Sequence, residues 1–127
     1  MDDLIIEGSK TRPYVKFNGR TAMLEIGGES YPENAMEFYK PIYDWLDLYL
    51  LKNSEREIIF TFKMIYFNTS SSKAILDILD RLESHHTSGG LIKLVWLFEE
   101  DDEDIEESGE EFIDGLTLNY VIESYDD

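Results

Sequence analysis

The hydrophobic pattern is strongest between Glu57 and Leu82. An apolar run rich in Ile and Phe ends before Asn68, and four hydroxyl residues follow it. Apolar residues then recur at the spacing of one helix face, at Ile75, Ile78, Leu79 and Leu82. This pattern predicts a strand, an exposed turn, and a helix that begins in the hydroxyl cluster.

The predicted strand is apolar on both of its faces. One face carries Ile58, Phe60, Phe62, Met64 and Tyr66, and the other carries Ile59, Ile65 and Phe67. Strands of this kind are typical of sheets that are covered by helices on both sides. We therefore expect a central strand that is buried on both faces.

The N-terminal part of the chain has strand patterns at residues 4–7, 11–18 and 21–26. The last two segments flank the dipeptide Asn18-Gly19, which favours a tight turn. They are predicted to form an antiparallel hairpin. Pro13 places the first hairpin strand at a sheet edge or marks its beginning.

The first predicted helix follows a polar loop at residues 27–34. Asn34 and Glu37 have the spacing of a capping box, and apolar residues recur at helical spacing from Phe38 to Leu50. Pro41 either kinks this helix or is its first residue. The aromatic residues of the segment are assigned to the core rather than to a binding surface, namely Tyr39, Tyr43, Trp45 and Tyr49.

The C-terminal part predicts two more strands and a short acidic helix. The apolar run at residues 91–98 would pair in parallel with the central strand through a right-handed β-α-β crossover. The acidic segment at residues 99–115 does not fit an EF-hand, because Glu107 stands where the calcium loop requires glycine. It is predicted to be a helical segment docked by Ile105, Phe112 and Ile113, with a final strand at residues 116–123.

These elements predict a single α/β domain at residues 1–127, long enough to bury one core. The sheet is expected to be mixed, with an N-terminal antiparallel hairpin and a central β-α-β unit. About three helices are expected to accompany it.

The chain carries 28 acidic and 11 basic side chains, which gives a net charge of −17. This balance argues against binding to nucleic acid or to anionic membranes, because both are bound through Lys and Arg. There are no cysteines and no apolar run of roughly 18 residues, so we expect a cytoplasmic protein. Half of the acidic residues lie from Glu99 onward, as either a solvated face or a surface for a basic partner.

Enzyme and cofactor motifs are absent from the sequence. No glycine-rich phosphate loop is present, and the adjacent His85 and His86 have no nearby third ligand, so they are interpreted as a polar helix end. A nucleophile within residues 70–72 would have to use these histidines from the far end of the same helix, without a GxSxG motif. We therefore predict a protein with no catalytic residues, no cofactor and no metal.

The hydroxyl cluster after the central strand is the strongest candidate functional site. Asn68, Thr69 and Ser70 can each cap the helix through a side-chain oxygen, although one cap is enough. The cluster is either a polar turn with redundant caps or a phosphorylation site. A phosphate here would add a charge of roughly −1.5 to −2 at the positive end of the helix dipole.

Three stretches of the chain resemble one known family. They are YPENAMEFYKPIYDWLDLYL at residues 31–50, FKMIYFNTSSSKAILDIL at residues 62–79 and VWLFEEDDEDIEESGEEF at residues 95–112. The chain thereby resembles the SiaC-type regulatory phosphoproteins, bacterial proteins whose fold is similar to the STAS domains of anti-sigma factor antagonists. The resemblance implies a STAS-like domain without catalysis, switched by a partner Ser/Thr kinase and a PP2C-like phosphatase. It also implies that the unphosphorylated form binds and activates a diguanylate cyclase, in cyclic di-GMP signalling and biofilm regulation.

The resemblance also implies where the switch lies. The family's phosphoacceptor threonine, in the motif NTSS, corresponds to Thr69, with Ser70 and Ser71 as alternatives. Ordinary STAS antagonists usually carry a serine after an aspartate, whereas Asn68 precedes Thr69 here. The partner is expected to bind over the start of the helix, at Asn68, Thr69, Ser70, Ser71, Ser72 and Lys73.

Three other functions stay open from the sequence. The first is a constitutive acidic scaffold, whose binding would ignore Thr69 and weaken with salt. The second is a partner-switching protein that acts like an anti-sigma factor antagonist. The third is a hydrolase that uses the serine cluster.

Overall fold

A computed structural model describes residues 1–126 of the chain. Nine elements follow one another in these residues: β1 (Leu4–Ile6), β2 (Tyr14–Asn18), β3 (Met23–Ser30), α1 (Ala35–Lys52), β4 (Glu57–Phe67), α2 (Thr69–Thr87), β5 (Leu91–Glu99), α3 (Glu103–Ile113) and β6 (Asn119–Tyr125). The predicted α/β class, with its three helices and mixed sheet, is confirmed.

The six strands lie in the sheet in the same order as in the chain. The pairs β1/β2 and β2/β3 are antiparallel, as the predicted hairpin requires. The pairs β3/β4, β4/β5 and β5/β6 are parallel, and one helix connects the strands of each pair. The predicted β-α-β unit around the central strand is therefore one of three consecutive units.

All three helices pack on one face of the sheet. Each parallel connection moves one strand further in the same direction, and right-handed crossovers that advance in one direction leave their helices on one side. On the opposite face of β4, Ile59 and Thr61 are partly exposed and Ile65 is exposed. The expectation of a central strand buried on both faces is therefore wrong, because none of the described helices covers this second face.

A β-bulge near the end of β4 changes which side chains are buried. Gly28 pairs with Met64 and Glu29 pairs with Tyr66, so Ile65 is an extra residue on β4. The alternation reverses after it: Tyr66 is exposed, and Phe67 turns into the core. The sequence pattern had predicted the reverse, with Tyr66 on the same face as the buried Ile58 and Phe67 on the other face.

Two boundaries in the first half of the chain differ from the predictions. Residues 27–30, assigned to a loop, extend β3 instead, because they continue its pairing with β4 as far as Ser30. Helix α1 runs through Pro41 without a break in its assignment, so the alternative in which Pro41 is the first helical residue is wrong. Half of the predicted capping box is present: the Glu37 amide donates to Asn34 Oδ1 at 3.1 Å, whereas the Glu37 carboxylate accepts from the Asn34 side-chain Nδ2, at 3.4 Å, in place of the backbone amide.

Helix α3 is the predicted acidic helix, and it docks on Trp96 of β5. The Trp96 indole Nε1 donates to the Ile105 carbonyl at 2.9 Å, inside the core. The Trp96 ring also contacts Phe112, at 5.7 Å between ring centroids. The predicted anchors Ile105 and Ile113 are buried, and Phe112 is half-buried against the core.

The last strand begins three residues later than predicted, at Asn119. The amides of Thr117 and Leu118, which precede it, donate to the Glu83 carboxylate of α2 rather than to β5. The Thr117 hydroxyl donates to the same carboxylate at 2.7 Å. These hydrogen bonds lower the pKa of Glu83 and join α2 to the beginning of β6.

Candidate functional site

The candidate site is the N-cap and first turn of α2, residues 68–73, which directly follow β4 and which we call the switch turn. Asn68 is the N-cap of α2, and its side-chain Oδ1 accepts the Ser71 amide at 3.0 Å. The Asn68 amide donates in turn to the Ser30 carbonyl at the end of β3, at 3.1 Å. One residue therefore ends β4, caps the helix and attaches the turn to the neighbouring strand.

Three buried hydroxyl groups lie under the switch turn. Ser30 Oγ donates to Ser71 Oγ at 2.8 Å and is 2.7 Å from the Tyr39 hydroxyl, which leaves Tyr39 to donate to Ser30. All three residues are at most 1% exposed. Burial raises the pKa of Tyr39, so this hydroxyl stays protonated, and the hydrogen-bond chain joins β3, α1 and the first turn of α2.

The neighbouring hydroxyls Thr69 and Ser70 are exposed. They are the first two residues of α2, and the first turn of this helix contains no acidic side chain. The first turns of α1 and α3 both contain acidic residues. A negative charge on Thr69 would therefore be the first one placed at the positive end of α2.

An open groove of about 1110 Å³ lies beside the switch turn, between the N-terminal halves of α1 and α2. Ser70 and Lys73 of α2 form one side of it, and Phe38 and the strongly exposed Met36 of α1 form another. Arg12 also lines the groove, with its guanidinium 5.8 Å from the centroid of the Phe38 ring. The groove thus combines apolar side chains with two cations and with three carboxylates, Glu33, Glu37 and Asp77.

The groove is not uniform in charge. Lys73 Nζ lies 3.6 Å from Asp77 in an exposed ion pair one turn further along α2. Burial, with the charge of Asp77 as the next cause, raises the pKa of the lining Tyr43 hydroxyl to about 12. Lys73 is four residues after Thr69, so it lies on the same side of the helix and within reach of a phosphate there.

The predicted site residues thus fall into two environments. Thr69, Ser70 and Lys73 are exposed together, Asn68 and Ser72 are half-buried, and Ser71 is completely buried. Sequence reasoning missed Ser30, because residues 27–30 were read as a loop. It also missed Arg12 and Met36, which only the packing of distant segments brings to the groove.

The structure keeps the candidate nucleophile and base apart. Ser70 and His85 are fifteen residues apart on α2, or roughly 20 Å at the rise of an α-helix. Burial lowers the pKa of His85, whose ring packs against Gly90. Within residues 1–126 there is no cluster of three or more side chains suited to hold a metal ion, and no helix has the length and apolar character to cross a membrane.

Taken together, the chain is a single-domain α/β protein in which a serine- and threonine-rich helix start faces solvent beside a groove. The sequence model described as SiaC family regulatory phosphoprotein matches residues 6–125. The chain therefore belongs to the SiaC family of regulatory phosphoproteins, a family of regulators and not of enzymes.

Its relatives have the same length and the same fold. An uncharacterised protein of Pseudomonas aeruginosa (strain UCBPP-PA14) is 33% identical over 127 residues, which is 100% of both chains. The chain in the crystal structure of apo-SiaC from Pseudomonas aeruginosa is 33% identical in sequence to this chain. The two folds superpose with a TM-score of 0.89, and the match covers 97% of this chain and 99% of SiaC. A further match is a chain in the crystal structure of the diguanylate cyclase SiaD in complex with its activator SiaC, from the same organism. This chain is 32% identical in sequence, with a TM-score of 0.92, and the match covers 97% of the present chain and 100% of the other.

Proposed function

We propose that this chain is a cytoplasmic switch protein whose unphosphorylated form binds and activates a diguanylate cyclase. In this proposal a Ser/Thr kinase phosphorylates Thr69 and releases the cyclase, and a PP2C-like phosphatase restores binding. The observation that carries the proposal is the exposed Thr69 at the first position of α2, beside an open groove. The similarity to the cyclase activator SiaC over nearly the whole chain supports the choice of partner.

The proposed interface extends from the switch turn into the groove. Met36 and Phe38 offer apolar contact area, Lys73 offers positive charge one turn after Thr69, and Arg12 offers positive charge beside Phe38. A partner that covers this surface also covers Thr69. A phosphate on Thr69 would then lose its hydration at the interface, which costs several kcal/mol unless basic groups meet it.

The phosphate would also change the groove from within the chain. It would attract Lys73, which is four residues along α2 and now holds only an exposed ion pair with Asp77. The same charge would stabilise the first turn of α2 by roughly 0.3–1 kcal/mol through the helix dipole. Phosphorylation is thus expected to leave the fold intact and to act on the partner.

Two experiments test the switch. The first is phosphopeptide mapping of the protein from its native host, on the tryptic fragment of residues 64–73. Phosphate on Thr69 is expected, and a fragment unmodified under every growth condition would favour the constitutive acidic scaffold instead. The acidic surface of α3 is the feature that would carry that second function.

The second experiment compares variants in binding to the cyclase by calorimetry. Thr69→Asp is expected to weaken binding by roughly 100-fold, and Thr69→Ala to preserve it. Thr21→Asp is the matched control, because Thr21 is an exposed threonine in the turn before β3, whereas the switch turn contacts Ser30 at the other end of that strand. Equal affinities of the two Thr69 variants would contradict the switch.

A further inference from the structure

The sheet face opposite the helices is a large surface that no helix of the described residues covers. We call it the open face; it consists of the alternate strand residues that point away from the core. Its apolar and aromatic members are Ile5, Tyr14, Met23, Ile59, Ile65, Tyr66, Leu91, Val95, Leu97, Val121 and Tyr125. Ile5, Met23 and Leu91 are more than half exposed. Apolar patches of this kind, mixed with polar residues, mark sites of protein association.

The open face differs in charge from the rest of the molecule. It carries three lysines (Lys16, Lys63, Lys93) and five glutamates (Glu25, Glu29, Glu57, Glu99, Glu123), so it holds only two of the seventeen net negative charges of the chain. Two of the lysines lie over aromatic rings of the same face: Lys63 over Tyr125 at 4.5 Å and Lys16 over Tyr14 at 5.0 Å. None of the three forms an ion pair with a carboxylate of the described residues.

This charge distribution indicates which kind of partner would bind the open face. A basic partner would be attracted to the acidic residues around α3, and an anionic partner would be repelled by the net charge of the chain. A second copy of the chain meets strong like charge on the helical side. On the open face the net charge is only −2, and the three lysines of one copy can pair with glutamates of the other across the contact.

We propose that two copies of this chain associate through their open faces, sheet against sheet, about a two-fold axis. Such an interface is self-complementary: the lysines of one copy meet the glutamates of the other, and the apolar residues of β4, β5 and β6 pack between them. The helices and the groove beside Thr69 stay outside the contact. The dimer would therefore present two switch turns, one on each outer side. Because Thr69 lies outside the contact, phosphorylation of Thr69 is not expected to change the dimer.

The association is tested by sedimentation velocity of the full-length, unphosphorylated protein over a concentration series. A reversible monomer–dimer equilibrium is expected. Leu91→Glu and Met23→Glu, at exposed positions of the open face, are each expected to weaken the dimer by roughly tenfold or more, because each buries an unpaired charge. Leu51→Glu, at an even more exposed leucine of α1, is the matched control and should leave the dimer unchanged.

Charge exchange tests the self-complementarity directly. The double variants Lys63→Glu/Lys93→Glu and Glu57→Lys/Glu123→Lys should each self-associate more weakly than they associate with each other when mixed. Lys40→Glu/Lys52→Glu and Glu107→Lys/Glu110→Lys change the total charge equally on the helical side and should show no such preference. Wild-type protein that is monomeric at every concentration, or a dimer that survives both open-face substitutions, would overturn the proposal without touching the switch at Thr69.

Discussion

Neighbouring hydroxyl residues of the switch turn have opposite environments. Ser70 is exposed at the groove, whereas the next residue, Ser71, is buried and bonded to Ser30. A helix turns by about 100° per residue, so adjacent side chains cannot face the same surroundings. A kinase that acts on the folded protein can reach Thr69 or Ser70, but it can reach Ser71 only if the first turn of α2 opens.

The two serines are expected to respond differently to a charge. Ser71→Asp places a carboxylate beside the two remaining buried hydroxyls, of Ser30 and Tyr39, and should lower the free energy of unfolding by about 3 kcal/mol or more. Ser70→Asp should change it by no more than about 1 kcal/mol, in the stabilising direction, because it adds an anion at the N-terminus of α2. Urea unfolding of both variants measures the difference. Equal stabilities would contradict the buried position of Ser71.

At the scale of elements, the packing of α3 depends on a glycine. A Cβ on Gly109 would lie 2.4 Å from Trp96 Cδ1 and 2.5 Å from Trp96 Nε1, so the helix backbone touches the indole directly. The sequence pattern identified the apolar anchors of this helix but not Gly109. A glycine has no side chain and so adds nothing to the hydrophobic pattern of a helix. The requirement for glycine at position 109 follows only from the position of Trp96, which leaves no room for a Cβ.

Substituting this glycine tests the contact. Gly109→Ala should destabilise the protein by about 1–3 kcal/mol through overpacking, although alanine alone favours a helix by roughly 1 kcal/mol over glycine. Glu110→Ala, at the adjacent exposed position, is the control and should change stability little. Thermal unfolding followed by tryptophan fluorescence gives both values. A more stable Gly109→Ala variant would mean that α3 does not rest on Trp96.

At the scale of the whole molecule, the repulsion between its many carboxylates is only weakly offset by ion pairs. The ion pairs of the described residues are Lys40–Asp44, Lys73–Asp77 and Arg81–Asp47, and each includes at least one largely exposed side chain. Exposed pairs contribute about 0–1 kcal/mol each. The net charge of −17 therefore acts mainly as self-repulsion in the folded state.

Screening this repulsion should stabilise the fold. Raising sodium chloride from about 0.01 M to about 0.15 M shortens the Debye length from roughly 30 Å to 8 Å. We expect the melting temperature to rise by a few degrees, which calorimetry at constant protein concentration measures. Chloride is preferable to sulfate, because sulfate also strengthens apolar burial. A melting temperature that falls with salt would show that attractive ion pairs dominate.

The sequence by itself determined the kinds of elements and their order. Hydrophobic period is a local property, so the strand and helix patterns around the switch turn, the hairpin and the acidic helix could be predicted from it. It also determined the charge and the cluster of hydroxyls that contains Thr69. The resemblance to a family, and not the residue pattern, chose Thr69 among them.

Only the tertiary structure decided which surfaces are covered. The helices lie on one face because all three parallel connections advance in the same direction, which no local pattern records. The bulge at Ile65 exchanged the sides of Tyr66 and Phe67, and β3 continued through two glycines to bring Ser30 under Ser71. These outcomes depend on contacts between residues distant in the chain, so the choice of the accessible hydroxyls and of the open face belongs to the fold.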